Sequence, residues 1–335
     1  MNRYWVGGTG FLGTHVVRHL LDRGHDVVVA SIEGGEVHGQ SVEPVDVLDA
    51  DAVARSAAGC QGAFYCVGKV SRDPDDAELM HRLHVVGTRT ALRALREAGI
   101  PRVVYASTSG TIAVGTDPDK VWNEDDEPPL QTIAKWPYYR SKLFGEQEAL
   151  EANDPPSFEV VVVNPTLLLG PGDLRDSSTS DVRRFLERQI PALPVGGYAF
   201  VDARDAAAGM ALAFEKGRPG QRYLLNAKNL TVAAFFQRLE RLTGVRAPLL
   251  RLPQNRKLAL GLNDVFQKVV TAIGGKPPVD EVDVDLGMHY WYADSSRAEN
   301  ELGWRARDPG ETLRDTVNDL LERKVVLVAS KTRSG

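Results

Sequence analysis

The sequence predicts an α/β fold built on a doubly wound parallel sheet, and three observations predict it. Short β-branched runs alternate with amphipathic helical patterns through the first half of the chain, and a glycine-rich turn joins the first run to the first helix. The runs are apolar throughout, as expected of strands covered on both faces. Each element follows from that reading.

Strands are expected at Arg3–Val6, Asp26–Ala30, Gly62–Cys66, Arg102–Ser107 and Glu159–Asn164. Between the first two, Val16, Val17, Leu20 and Leu21 form a helical stripe that closes at Gly24, a residue suited to the left-handed cap. A second stripe carries Val85, Val86, Leu92 and Leu95 and stops at Gly99, just ahead of Pro101 and the next strand. After about residue 165 the rhythm loosens. Gly170-Pro171-Gly172 and Leu193-Pro194-Val195-Gly196-Gly197 mark turns, with helical patterns over 182–189 and 232–243. The expected division is a larger unit over 1–165 and a smaller lobe over 166–330, interleaved because about 198–228, including the run Arg222–Asn226, returns to the first. Ser330–Gly335 is polar and expected to fray.

Bulk properties narrow the function. A chain of 335 residues can bury a large core and carry an added lobe. Its net charge of −5, with basic residues scattered along the chain, gives no pull toward nucleic acid, so no such partner is expected. Two cysteines, Cys60 and Cys66, are too few for a secreted disulfide framework. The first strand begins at once, so no leader is expected. Apolar runs such as Val325–Ala329 fall far short of the roughly 20 residues of a spanning helix. The expectation is a cytoplasmic protein without a membrane span.

The turn Gly7-Gly8-Thr9-Gly10-Phe11-Leu12-Gly13 reads Gly-x-x-Gly-x-x-Gly between a strand and a helix. Glycine there permits a tight bend and close approach of backbone to a pyrophosphate, which the free N–H groups of the helix start attract. A dinucleotide on a Rossmann fold follows, making 1–165 an NAD(P)-binding domain and 166–330 a substrate lobe. At the end of the second strand stands Ser31, which supplies neither a carboxylate for the ribose of NAD nor an arginine for the extra phosphate of NADP. Glu33 and Glu36 would repel that phosphate, so NAD is favoured and NADP stays open. Asp46, beside Val47 after a possible further strand, is placed to accept from the adenine amino group, although an isolated Asp is also an ordinary loop residue.

Tyr138 and Lys142 lie four residues apart at the start of a helical pattern, so one face presents both. A free phenol titrates near 10, and a neighbouring ammonium, helped by oxidised nicotinamide, is expected to lower it into a useful range. Upstream, Ser107-Thr108-Ser109-Gly110-Thr111 ends a strand at the edge where open α/β sheets bind ligands, and a hydroxyl there can hold a carbonyl oxygen.

The order of glycine turn, hydroxyl strand and Tyr-Lys helix resembles the extended branch of the short-chain dehydrogenase/reductase superfamily, over roughly residues 3–320. The resemblance implies Thr108, Tyr138 and Lys142 as the catalytic set, with Ser107 and Ser109 close enough to confuse the first. It implies Val67 and Gly68, at the end of Phe64-Tyr65-Cys66, beside the cofactor, and Pro165 and Thr166 facing the nicotinamide. Phe200-Val201-Asp202-Ala203-Arg204-Asp205 and Tyr292-Ala293-Asp294-Ser295-Ser296-Arg297, followed by Gly303-Trp304, look closest to dihydroflavonol-reductase-like, 3β-hydroxysteroid-dehydrogenase-like and hopanoid-associated epimerase-like members. His84 departs from that pattern, standing where the family often has Asn. Val6 also replaces a usual Thr. The leading expectation is a reductase or dehydrogenase acting on a small carbonyl or alcohol, because Leu167 and its neighbours suit an apolar compound better than a diphosphate. A nucleotide-sugar epimerase or dehydratase with bound NAD is the first alternative and a non-catalytic cofactor sensor the second. A homodimer formed through the Tyr-Lys helix and its neighbour is implied by resemblance.

Overall fold

The computed structural model describes residues 1–272 and 281–326; the tail Ser330–Gly335 and most of Val325–Ala329 lie outside them. Strands β1 (Arg3–Gly7), β2 (Asp26–Ser31), β3 (Gly35–Val37), β4 (Gln40–Pro44), β5 (Gly62–Tyr65), β6 (Arg102–Ala106) and β7 (Glu159–Pro165) are followed by β8 (Leu167–Leu169), β9 (Gly197–Asp202), β10 (Arg222–Leu225) and β11 (Lys228–Thr231). Eight of them form one sheet in the order β10-β7-β6-β5-β1-β2-β4-β3. All neighbours run parallel except the β3–β4 hairpin at one edge. The smaller sheet is β11-β9-β8.

Period-two alternation sends successive side chains to opposite faces. Tyr4, Val6, Val104, Val161 and Val163 join a core with Val16, Val17 and Leu20 of α1 (Phe11–Asp22). Trp5, Val103, Tyr105, Val160 and Val162 join the opposite core. Val53 of α2 (Ala50–Ser56) packs there with Leu92 and Leu95 of a later helix, Gly87–Glu97. Both faces are therefore buried, which explains why the strands carry no polar side to betray them. Before that later helix lies α3 (Ala77–His81), joined to it by a π-helical turn over Arg82–Val86. Numbering it α4, the chain continues through α5 (Leu130–Ile133) and α6 (Pro137–Glu151).

The second half crosses between sheets. After β7 the chain enters the smaller sheet at β8, passes α7 (Ser180–Leu186) and completes β9. Helix α8 (Ala203–Lys216) packs back beside α1, sending Ala206, Ala207 and Met210 into the first core, and β10 joins the larger sheet next to β7. β11 then returns to the smaller one. That lobe has its own core, containing Phe185, Phe200, Phe235 and Phe236, from α7, β9 and α9 (Val232–Thr243), and Leu313 and Val317 from a last helix over Pro309–Glu322. Helices α10 (Arg256–Ala272) and α11 (Glu281–Gly287) form its rim. Because the strands of the larger sheet run parallel, Gly7, Ser31, Tyr65, Ala106 and Pro165 all end at one edge, and the loops beyond that edge face the smaller lobe.

Candidate active site

A cavity of about 1140 Å³ opens at that edge between the two lobes. Gly8, Thr9, Gly10, Phe11, Leu12, Ser31, Asp46, Val47, Val67 and Gly68 line one end; Thr108, Tyr138, Lys142, Pro165 and Thr166 line its middle. Gly7 and Gly13 lie beneath it. A Cβ on Gly13 would stand 2.0 Å from the Gly8 carbonyl oxygen, and one on Gly8, held at φ +96°, would meet the Cys66 carbonyl oxygen at 2.7 Å. Gly10 is different, with nothing within 4 Å of a Cβ position, and it starts α1 without any side-chain cap. The bend therefore packs closely at Gly7, Gly8 and Gly13 and leaves Gly10, with the uncapped N–H groups of α1, open to the cavity. That cradle fits the pyrophosphate of a dinucleotide.

Around the cradle, Thr9 Oγ1 donates to Ser31 Oγ at 3.1 Å, and Asp46 Oδ1 accepts the Leu48 N–H at 2.9 Å. Arg175, from the loop after β8, borders the cavity and pairs with Glu33, two residues beyond Ser31. Sequence reasoning found no arginine here because this one lies more than 140 positions away.

Ser107, Thr108 and Ser109 all border the cavity, and they differ in how far each is buried or engaged elsewhere. Ser107 Oγ donates to Glu146 inside the protein and Ser109 is buried at the start of a short turn, whereas Thr108 is half-buried at the cavity wall. Thr108 and the Tyr138 phenol both border the cavity. Burial lifts that phenol above its ordinary value, Tyr139 adds to the rise, and the neighbouring Thr108 hydroxyl opposes it. This differs from the expected lowering by Lys142. Lys142 instead donates to the Ala106 carbonyl at 2.7 Å and lies 4.8 Å from the centre of the Tyr105 ring. The residue is only 4% exposed, and burial lowers its pKa to about 8 against the opposing charge of Glu146. Tyr138 is thus a neutral phenol, a proton donor.

Glu146 is the residue that sequence reasoning missed, although 138, 142 and 146 continue one helical spacing. Its Oε2 accepts from Ser107, from Thr111 Oγ1 at 2.7 Å and from Asn164 Nδ2 at 2.7 Å; Arg222 reaches Oε1 at 3.5 Å. Asn164 Nδ2 also donates to the Thr108 carbonyl at 3.2 Å, so the network holds the Thr108 loop from beneath.

His84 takes part too. It is 1% exposed, and its Nε2 accepts the Lys69 N–H at 3.0 Å, which places the ring proton on Nδ1, donated to Ser141 Oγ at 2.8 Å. Ser141 Oγ in turn donates to the Tyr138 carbonyl at 2.8 Å. Burial holds the imidazole well below its usual pKa, consistent with the neutral form. A neutral imidazole therefore makes the donor and acceptor contacts that an amide would make.

Toward the smaller lobe the lining turns aromatic and apolar: Trp136, Tyr139 and Trp291 pack in edge-to-face and tilted pairs with centroids 4.8–5.9 Å apart, and Phe236, Leu250 and Leu252 lie beyond. Two arginines reach this end, Arg72 and Arg184, and both bond Asp283, Arg184 at 2.7 Å. Asp181, near Arg184, accepts from the Tyr198 hydroxyl at 3.1 Å.

Comparison with known proteins identifies the family and the fold. The NAD dependent epimerase/dehydratase family matches residues 5–225. A Synechocystis sp. protein carrying a provisional dihydroflavonol 4-reductase name is 34% identical over 93% of this chain and 92% of its own. Sterol demethylase protein B of Methylococcus capsulatus is 34% identical over 74% of this chain and 76% of its own. The UDP-glucose 4-epimerase of Thermus thermophilus, solved in complex with NAD, superposes with a TM-score of 0.72 over 95% of this chain and 99% of that one, at 21% identity, a likeness of fold.

Proposed function

Starting from the chain's membership of the NAD dependent epimerase/dehydratase family, whose chemistry makes it an NAD(P)-dependent oxidoreductase, we propose that it reduces the carbonyl of a bulky apolar compound. The observation that supports this is the neutral Tyr138 phenol, beside the Thr108 hydroxyl, at the junction of a dinucleotide cradle and an aromatic-lined cavity. In this reading Tyr138 and Thr108 donate to the carbonyl oxygen and orient its carbon. The bound nicotinamide supplies a hydride when reduced. As the carbon–oxygen π bond breaks, Tyr138 gives its proton to the oxygen and is recharged from solvent by way of Lys142, which would also hold the nicotinamide ribose. Lys142, titrating near 8, is well matched to passing a proton at neutral pH. Gly8, Thr9, Gly10, Phe11 and Leu12 would hold the pyrophosphate, Asp46 and Val47 the adenine, and Val67, Gly68, Pro165 and Thr166 would flank the nicotinamide.

A sugar diphosphate would need cations with free valence at the substrate end. Arg72 and Arg184 are both engaged by Asp283, which favours the reductase over an epimerase or dehydratase. For the cofactor, Ser31 and the nearby Glu33 favour NAD over NADP. A homodimer formed through α6 and its neighbour α4 completes the reading, in a cytoplasmic protein. Light scattering reports the dimer, and monomeric behaviour would refute that part. The central test is Tyr138→Phe. Reduction across a panel of aromatic and alicyclic ketones should fall by roughly 10²- to 10⁴-fold while cofactor affinity, read by calorimetry, stays unchanged. Undiminished turnover in that variant would refute the assignment.

A further inference from the structure

We propose that the mouth of this cavity seats on an anionic lipid surface through the segment 246–268 of the smaller lobe. Leu249, Leu250, Leu258, Leu262 and Val265 are 94%, 68%, 60%, 55% and 59% exposed, a concentration of large apolar side chains in water. Leu258, Leu262 and Val265 are spaced by four and three, so they share one face of α10. On the other side of that helix Ala259 and Asn263 are buried. The helix therefore shows two apolar faces, and the protein covers one. Leu250 and Leu262 also line the cavity, which makes the exposed patch the lip of the cleft. A contiguous exposed apolar patch beside a ligand cavity marks an interaction surface.

Charge selects the partner. The basic residues look scattered along the whole sequence, yet over 246–268 Arg246, Arg251, Arg256, Lys257 and Lys268 face a single acid, Asp264, giving +4 in a chain whose total is −5. Arg256 is held by Asp285 at 2.5 Å and Lys268 by Asp264 at 2.7 Å. Arg246, Arg251 and Lys257 form no ion pair among the described residues. Leucines flanked by unpaired cations are the chemistry of an interfacial helix, whose apolar side chains enter the acyl boundary while the cations meet anionic headgroups. A second copy of the chain would bring the same positive segment against itself, which disfavours self-association through this patch. No described helix is long and apolar enough to cross a membrane, so the contact is a surface one. An apolar substrate would then pass from the acyl region into the cavity between Leu250 and Leu262 without crossing water.

Docking is a property of this surface and does not depend on the reductase reading. Flotation of the full chain with vesicles tests it, using phosphatidylcholine alone or mixed with phosphatidylglycerol. The chain should float with the mixed vesicles, less at high salt. Combined Leu249→Ser, Leu258→Ser and Val265→Ser should lower partition by roughly tenfold or more, and Arg251→Gln with Lys257→Gln should lower it on the anionic vesicles alone. Cofactor titration in each variant verifies an intact fold, since none of these residues lines the cavity. No flotation with either composition, or equal flotation of wild type and the serine variant, would overturn the proposal. So would an oligomer that the serine variant dissociates, because a second copy would then occupy the patch. Flotation without turnover of any carbonyl would count against the reductase and leave docking in place.

Discussion

On the cofactor side of the cleft the Glu146 carboxylate is 1% exposed and gathers hydrogen bonds from Ser107, Thr111 and Asn164. On the substrate side Asp283 gathers two guanidinium groups, Arg72 and Arg184, that keep 39% and 25% of their own surface in water. Both carboxylates are buried. The partners of Glu146 are buried with it and those of Asp283 are not, and that decides what each can tolerate. Loss of Glu146 would strand donors that water does not reach, whereas loss of Asp283 would release two arginines that can rehydrate. The half of the cleft that carries the proposed chemistry is thus fixed by dry hydrogen bonds, and the half that meets the substrate by contacts able to yield.

The largest effect expected from this contrast is on stability. Glu146→Ala should cost about 3–5 kcal/mol in urea unfolding, because Ser107, Thr111, Asn164 and Arg222 lose their shared acceptor. Asp283→Ala should cost clearly less and show itself in KM. Equal losses would erase the difference between the two sides.

Lys142 sharpens the comparison from the same side. Burial depresses its pKa from 10.5 to about 8, so the folded state resists holding the proton that the unfolded state keeps. That penalty is fully present below pH 8 and fades as pH rises from 8 toward 10.5. Lys142→Met should therefore stabilise the cofactor-free protein at pH 7 by on the order of 1 to 3 kcal/mol, with a gain that shrinks across that window, while activity is lost. Thermal melts of both proteins at pH 7 and pH 9.5 check the sign. A gain that grows with pH would contradict it.

The smallest effect concerns His84. Asn can accept from Lys69 and donate to Ser141 much as the neutral imidazole does, so His84→Asn should retain kcat within roughly tenfold, whereas His84→Leu should lose more and displace the Tyr138 turn. If both variants behave alike, the imidazole serves only as packing.

The sequence made the larger sheet legible because strands buried on both faces, such as Val160–Val163, can only be apolar. The β3–β4 hairpin was harder to see, since Glu36, Ser41 and Glu43 face water on a sheet edge and carry no apolar run. β8 has three residues and is separated by one residue from Pro165, which ends β7, so no periodicity could accumulate. In the site, Tyr138 and Lys142 announced themselves by spacing. Glu146 shared that spacing but reads as a solvated helix acid until the Thr108 loop and Arg222 close over it. Arg72, Arg175 and Arg184 act through pairings that span 99 to 211 positions, beyond the reach of any local pattern.

The backbone's repeated passage between the two sheets has a consequence for how the molecule comes apart. Strands β7 and β10 flank the segments that build β8 and β9, and β10 is the larger sheet's terminal strand, so neither sheet can be completed from one uninterrupted stretch of chain. The lobes are not separable folding units. Denaturant should melt them in one cooperative transition, and a fragment cut at residue 165 would lack the edge strand that closes its own sheet.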